Sequence, residues 1–163
     1  VPLQLLRALR SRNFRLFFAG QSVSLVGTWM QQVAISWLVY RLTGSAVLLG
    51  VVSFAGRIPA FIFAPLAGVL ADRWNRRRLL LCTQSLATVQ ACVLAALVLT
   101  GVIQVWQLVA LSVLLGLINA FDIPVRQAFV VEMVDRKDDL ANAIALNSSM
   151  VNSARLIGPS LAG

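Results

Sequence analysis

Leu66-Ala67-Gly68-Val69-Leu70-Ala71-Asp72-Arg73-Trp74-Asn75-Arg76-Arg77-Arg78-Leu79-Leu80-Leu81-Cys82 decides the fold, because two apolar segments meet there at a turn holding five charges in seven residues. Upstream, residues 46–71 carry one charge, Arg57; downstream, residues 79–99 carry none. Each segment reaches the roughly 20 helical residues that cross a hydrocarbon core. The pair reads as a helical hairpin through a bilayer with its charged turn in water. Runs of the same kind at residues 14–40, 105–121 and 140–163 make the expected fold an all-α polytopic membrane bundle of five helices. Composition agrees, with 59% hydrophobic residues, 12% charged residues and a mean hydropathy of +0.83, where soluble domains carry about 25% charge. Barrel strands would alternate polar and apolar side chains, which residues 79–82 and 92–99 do not.

Basic residues set the orientation. Arg7, Arg10, Arg12 and Arg15 precede the first helix, Arg73 and Arg76 to Arg78 separate the second from the third, and Arg126, Arg136 and Lys137 separate the fourth from the fifth. Single crossings put all of these on one side, with only Arg41 opposite, so the N-terminus is expected in the cytoplasm. Trp37, Tyr40, Trp106 and Trp74 fall near helix ends, as interfacial aromatics do. The formal charge of +8 is thus topogenic, and no nucleic-acid partner is expected. Val1 at the start, and a fifth run reaching Gly163 without a polar exit, are expected of a fragment.

Enzyme chemistry lacks raw material. There is no histidine, and Cys82 and Cys92 lie ten residues apart, about 15 Å along a helix and beyond disulfide reach. Neither cysteine belongs to a metal-spaced motif, so neither metal nor cofactor is expected. A channel would need a selectivity filter, which nothing here resembles.

The helix interiors carry polar stripes. Gln21, Ser24, Thr28, Gln31 and Gln32 recur at three to four residue spacing on the first helix, and Ser148, Asn152, Arg155 and Pro159 do so on the fifth. Such stripes either glue helices together or line a substrate cavity. Gly20 and Gly27 share a helix side and read as close-packing positions. Arg57 and Arg155 each lie roughly 12 to 15 residues into a helix, near mid-membrane, where a charge faces a bundle interior, a cavity or an acidic partner. All six acids, Asp72, Asp122, Glu132, Asp135, Asp138 and Asp139, map to the cytoplasmic side. The two arginines therefore face a substrate or pair with a segment outside this sequence. A weak echo links Arg57-Ile58-Pro59 and Pro65-Leu66-Ala67-Gly68 with Arg155-Leu156 and Gly158-Pro159-Ser160-Leu161-Ala162-Gly163, as inverted repeats would.

In the connection after the second helix, Gly68 is expected to let a neighbouring helix approach, and Asp72 to form an ion-paired gate with the arginines. Asp122, just before Pro124, could join it. These residues resemble the major facilitator superfamily. Gly68, Asp72, Arg73, Arg76 or Arg77, and Arg78 match its G-x-x-x-D-R-x-G-R-R loop, with Asn75 in place of the central glycine. The resemblance implies a charge network between that loop and an acid at the inner end of helix four, the position of Asp122, latching the outward-facing state. Gly158, Pro159 and Gly163 look like a shortened form of the family's helix-five antiporter motif; the family's arginine within helix four is missing, since residues 108–116 are uncharged. Arg12 to Phe17, Phe121 to Phe129 and Arg155 to Pro159 resemble the branch of enterobactin exporters and macrolide efflux proteins. That implies proton-coupled export of a small molecule by alternating access between two six-helix halves. Helix six and the C-terminal half would then lie outside this sequence. A pore-forming or structural membrane protein is the alternative.

Overall fold

The computed structural model describes residues 7–134 and 137–163, the side chains of Arg7, Lys137 and Asp138 excepted. After a 3-10 turn at Arg7–Arg10 come five long helices: α1 (Arg12–Thr43), α2 (Ala46–Arg73), α3 (Arg76–Leu99), α4 (Val105–Glu132) and α5 (Lys137–Ala162). Asp135 and Arg136, counted above among the inner charges, lie outside the described residues.

Local chemistry explains the boundaries. Gly44 ends α1 in the left-handed region (φ 61°), its N–H donating to the Tyr40 carbonyl at 2.7 Å, and Gly101 (φ 73°) does the same after α3. Ser45 caps α2, its hydroxyl accepting from the Leu48 N–H at 3.3 Å. At α4, Gln107 reaches back to accept from the Gln104 N–H at 2.8 Å. The helix expected over 105–121 continues to Glu132. Pro124 removes one backbone bond, that to the Ala120 carbonyl, and the turns beyond it are held by the buried Val125 and Val130.

Only Trp74 and Asn75 separate α2 from α3. Asn75 has φ −66° and ψ 107°, and its side chain accepts from the Arg78 N–H at 3.0 Å. This turn therefore needs no left-handed residue, and the asparagine in the family's glycine position is an N-cap. Asn75→Ala should destabilise the α2–α3 hairpin by about 1 kcal/mol, while Asn75→Gly should cost only a few tenths. Thermal melting of the detergent-solubilised protein separates the two.

The described residues form two units. One holds residues 7–34, 127–134 and 137–163, the other residues 35–126. In the second, Ile35, Val39, Val52, Leu94, Leu108 and Leu111 form the core shared by α1, α2, α3 and α4. In the first, Phe14, Val130 and Ala143 make one cluster and Leu25, Met150 and Ala154 another. Phe14 meets Ala143 and Leu25 meets Met150, so α1 and α5 run parallel, as two odd-numbered spans must.

The outer surface is apolar: Phe61 and Leu99 are 87% exposed, Val23 and Val47 76%. Water would not tolerate that coverage and lipid does. By length and apolarity α2, α3 and α4 suffice to cross a membrane. The other two are as long, but α1 and α5 carry the amides, hydroxyls and charges of the polar stripes. The chain is an all-α, multi-pass membrane bundle.

Candidate functional site

In the first unit, α1 and α5 meet along a seam, and the polar stripes run beside it. Small residues on α5 make close contact possible: a Cβ on Gly158 would come within 2.5 Å of the Trp29 Cβ and 3.0 Å of the Val26 carbonyl. Met150, Ala154 and Gly158 recur every four residues and define the face of α5 turned to α1. Ser148 and Asn152 lie on the far side of the helix and Arg155 at its edge, all three exposed, with Pro159 half-buried among them. The Arg155 guanidinium sits over the Trp29 ring, 5.6 Å from its centroid. Pro159 offers no N–H to the Arg155 carbonyl, which loosens the helix at that arginine.

On α1, Gln21 is buried, Ser24, Thr28 and Gln31 are half-buried and Gln32 is exposed. By helical angle this stripe flanks the side facing α5 and overlaps it at Gln21. Thr28 spends its hydroxyl on the Ser24 carbonyl at 3.0 Å. Sequence reasoning missed Asn147, one residue before the α5 stripe, whose buried Oδ1 accepts no hydrogen bond. It falls on the α1-facing side of α5.

The expected close-packing glycines are elsewhere than predicted. Nothing lies within 4 Å of a Cβ built on Gly20, Gly27 or Gly68, and Gly163 meets only its own helix at Pro159. The approach expected at Gly68 is made instead by Gly56 of α2 and Gly116 of α4 in the second unit, where a Cβ on Gly116 would fall on the Gly56 carbonyl oxygen. Arg57, next to that contact, is exposed and has no hydrogen bond or ion pair among the described residues.

Asp72 and Asp122, both expected in one charge network, face different arginines among the described residues. Asp72 pairs with Arg76 at 3.6 Å, and the Arg76 Nε donates to the Ala71 carbonyl at 3.2 Å, tying α3 to the end of α2. Arg73, Arg77 and Arg78 are exposed and pair with no acid among the described residues. Arg76, Arg77 and Arg78 occupy the first turn of α3, where the helix dipole repels cations, so their placement does not serve the stability of that helix. Asp122 contacts none of them. It is buried and turned to α3, where its Oδ1 accepts from the Thr83 hydroxyl and the Gln84 amide, both at 2.8 Å. Its Oδ2 lies 3.9 Å from the Nε of Arg126, which is itself buried. Arg126 is therefore an interior residue of α4, not the connecting-loop charge the sequence suggested. Gln90 adds a second α3–α4 link, donating to the Leu111 carbonyl at 3.1 Å.

Cys82 and Cys92 are exposed and unbridged, and no cluster of metal-ligating side chains occurs among the described residues. The described helices are those of a multi-pass membrane protein, α1 and α5 carrying polar stripes. Residues 4–163 match the transmembrane secretion effector family, and the chain belongs to this family of the major facilitator superfamily. Similar proteins include the staphyloferrin A transporter of Staphylococcus aureus, 30% identical over 148 residues, and macrolide efflux protein A of Streptococcus pyogenes, 26% identical over 150. Those alignments cover 90% and 92% of this chain and 37% of each relative. The multidrug efflux pump Tap of Mycolicibacterium fortuitum is 27% identical over 141 residues, 84% of this chain and 34% of the relative. The chain thus spans about a third of the length of these relatives. No solved structure matches it.

Proposed function

We propose that the chain is the N-terminal part of a secondary active transporter in the bacterial inner membrane, N-terminus cytoplasmic, that exports a small molecule in exchange for protons. The observation that carries this reading is the contrast among the helices. Two helices as long as the others, α1 and α5, break their apolarity with polar side chains and pack in parallel. In lipid such residues need protein or water beside them, and a water-filled cavity closed by an opposing half supplies it. The names of the similar proteins, a staphyloferrin A transporter, a macrolide efflux protein and a multidrug efflux pump, support the reading of the substrate as a drug, macrolide or siderophore.

Asp122 is the only acid in the buried set among the described residues, and its oxygens are engaged. The proton site of an antiporter would then lie in the remainder of the protein. In everted vesicles containing the complete gene product, substrate addition should dissipate an imposed pH gradient, and collapsing that gradient should stop accumulation. Transport indifferent to the gradient would rule out the exchange mechanism.

A further inference from the structure

On α5 the hydrogen-bonding groups of one face are unspent. The hydroxyls of Ser22, Thr28, Thr43, Thr88 and Ser160 all donate to carbonyls of their own helices. Ser148, Asn152 and the Arg155 guanidinium have no hydrogen-bond partner among the described residues; all three are exposed, Ser148 and Asn152 on the side of α5 turned away from α1 and Arg155 at the edge of that side, where it reaches Trp29. They rise along the helix by about 6 Å and then about 4.5 Å. Arg155 lies about 22 Å beyond Leu140, the first apolar residue of α5, inside the thickness of a hydrocarbon core.

The only compensation the described residues give this charge is the Trp29 ring, at 5.6 Å. A cation–π contact is weak against the cost of a guanidinium at that depth. It does fix the guanidinium beside the seam and leaves its planar fork of N–H donors open, the geometry that takes a carboxylate or other oxyanion in two parallel bonds. A lone ion pair with another helix would use Arg155 and leave Asn152 and Ser148 idle. An extended anionic ligand would use all three. Charge accounting points the same way, since Asp122 already faces Arg126 while Arg57 and Arg155 face no acid among the described residues.

We infer that Arg155, held against Trp29 and flanked by Asn152 and Ser148, binds the anionic group of the transported compound, so that the substrate is an anion at neutral pH. This rests on the transporter reading. Everted vesicles holding the complete protein are offered carboxyfluorescein, an anion, and rhodamine 123, a cation on the same ring system. Carboxyfluorescein should accumulate, Arg155→Gln should reduce that by about tenfold or more, and Arg155→Lys should keep part of it, having the charge without the fork. Trp29→Leu should raise KM more than it lowers kcat. Ligand-free Arg155→Gln should melt within about 2 °C of the parent, because an uncompensated charge contributes no stability.

Preferential movement of rhodamine 123, or anion movement indifferent to Arg155→Gln, overturns the substrate class and leaves the transporter reading standing. A melting point lowered by more than about 4 °C in ligand-free Arg155→Gln assigns the arginine to a structural ion pair and overturns the inference. Movement of neither dye, in vesicles where no added compound dissipates a proton gradient, overturns the transporter reading itself.

Discussion

Gly116→Ala is expected to destabilise the protein severely, by about 3 kcal/mol or more, and Gly116→Val to prevent recovery of folded protein from detergent. The reason is where the first added carbon goes. It would land on the Gly56 carbonyl oxygen, with the Gly56 carbonyl carbon at 2.9 Å and the Pro59 Cδ at 3.3 Å. Two of those atoms are backbone and the third belongs to a proline ring, so no side chain can rotate away. Helix α2 must move off α4. The reciprocal substitution gives the contrast: a Cβ on Gly56 meets the Ser112 carbonyl oxygen at 3.4 Å and the Ser112 Cβ at 3.6 Å, ordinary contact. Gly56→Ala should therefore be neutral, or gain up to about 1 kcal/mol of helix propensity. Fluorescence-detected size-exclusion after a heating series measures both. Equal losses for the two variants would mean that α2 and α4 do not cross backbone to backbone at these glycines.

That asymmetry marks the limit of what the sequence discloses. The helices were legible because length, apolarity and the spacing of arginines each constrain a chain in lipid, and together they predicted an all-α bundle of five helices; α4, expected to end near 121, runs on to Glu132. That end was missed because Pro124 looks like a terminator, yet a proline removes one backbone bond and buried neighbours hold the rest. The glycines were not legible. Gly20, Gly27 and Gly68 have the spacing or the family position of packing residues and face open space, while Gly56, Gly116 and Gly158 are met by neighbouring helices. Spacing gives the side of a helix, not what lies beyond it. Thr83 and Gln90, seven residues apart, share one side of α3, but Asp122, the partner of Thr83, was read toward the loop. The stripe residues of α1 and α5 were legible as stripes, and only the structure shows that Arg155 rests on Trp29.

The second large effect concerns that misread acid. Asp122→Ala should cost about 3–5 kcal/mol, because it strands a buried charge. Arg126 has 9% of its side chain exposed and its one ionic partner is the Asp122 Oδ2 at 3.9 Å. The Thr83 hydroxyl has one proton to give and two acceptors in reach, Asp122 at 2.8 Å and the Leu80 carbonyl at 3.0 Å, so it can fall back on its own helix. The Gln84 amide loses its 2.8 Å bond to Asp122. Most of the loss should therefore come from Arg126, which a second substitution exposes: Asp122→Leu with Arg126→Leu removes both charges and should recover most of the stability, as replacement of buried ion pairs by apolar residues generally does. Asp122→Asn keeps an acceptor for Thr83 and Gln84 without the charge and should fall between. If the double variant is no more stable than Asp122→Ala, the hydrogen bonds to α3, and not the buried charge, are what Asp122 contributes. Substituting Arg73, Arg77 or Arg78 should leave the Asp122 variants' melting points unchanged, since none of the three touches that acid in this structure.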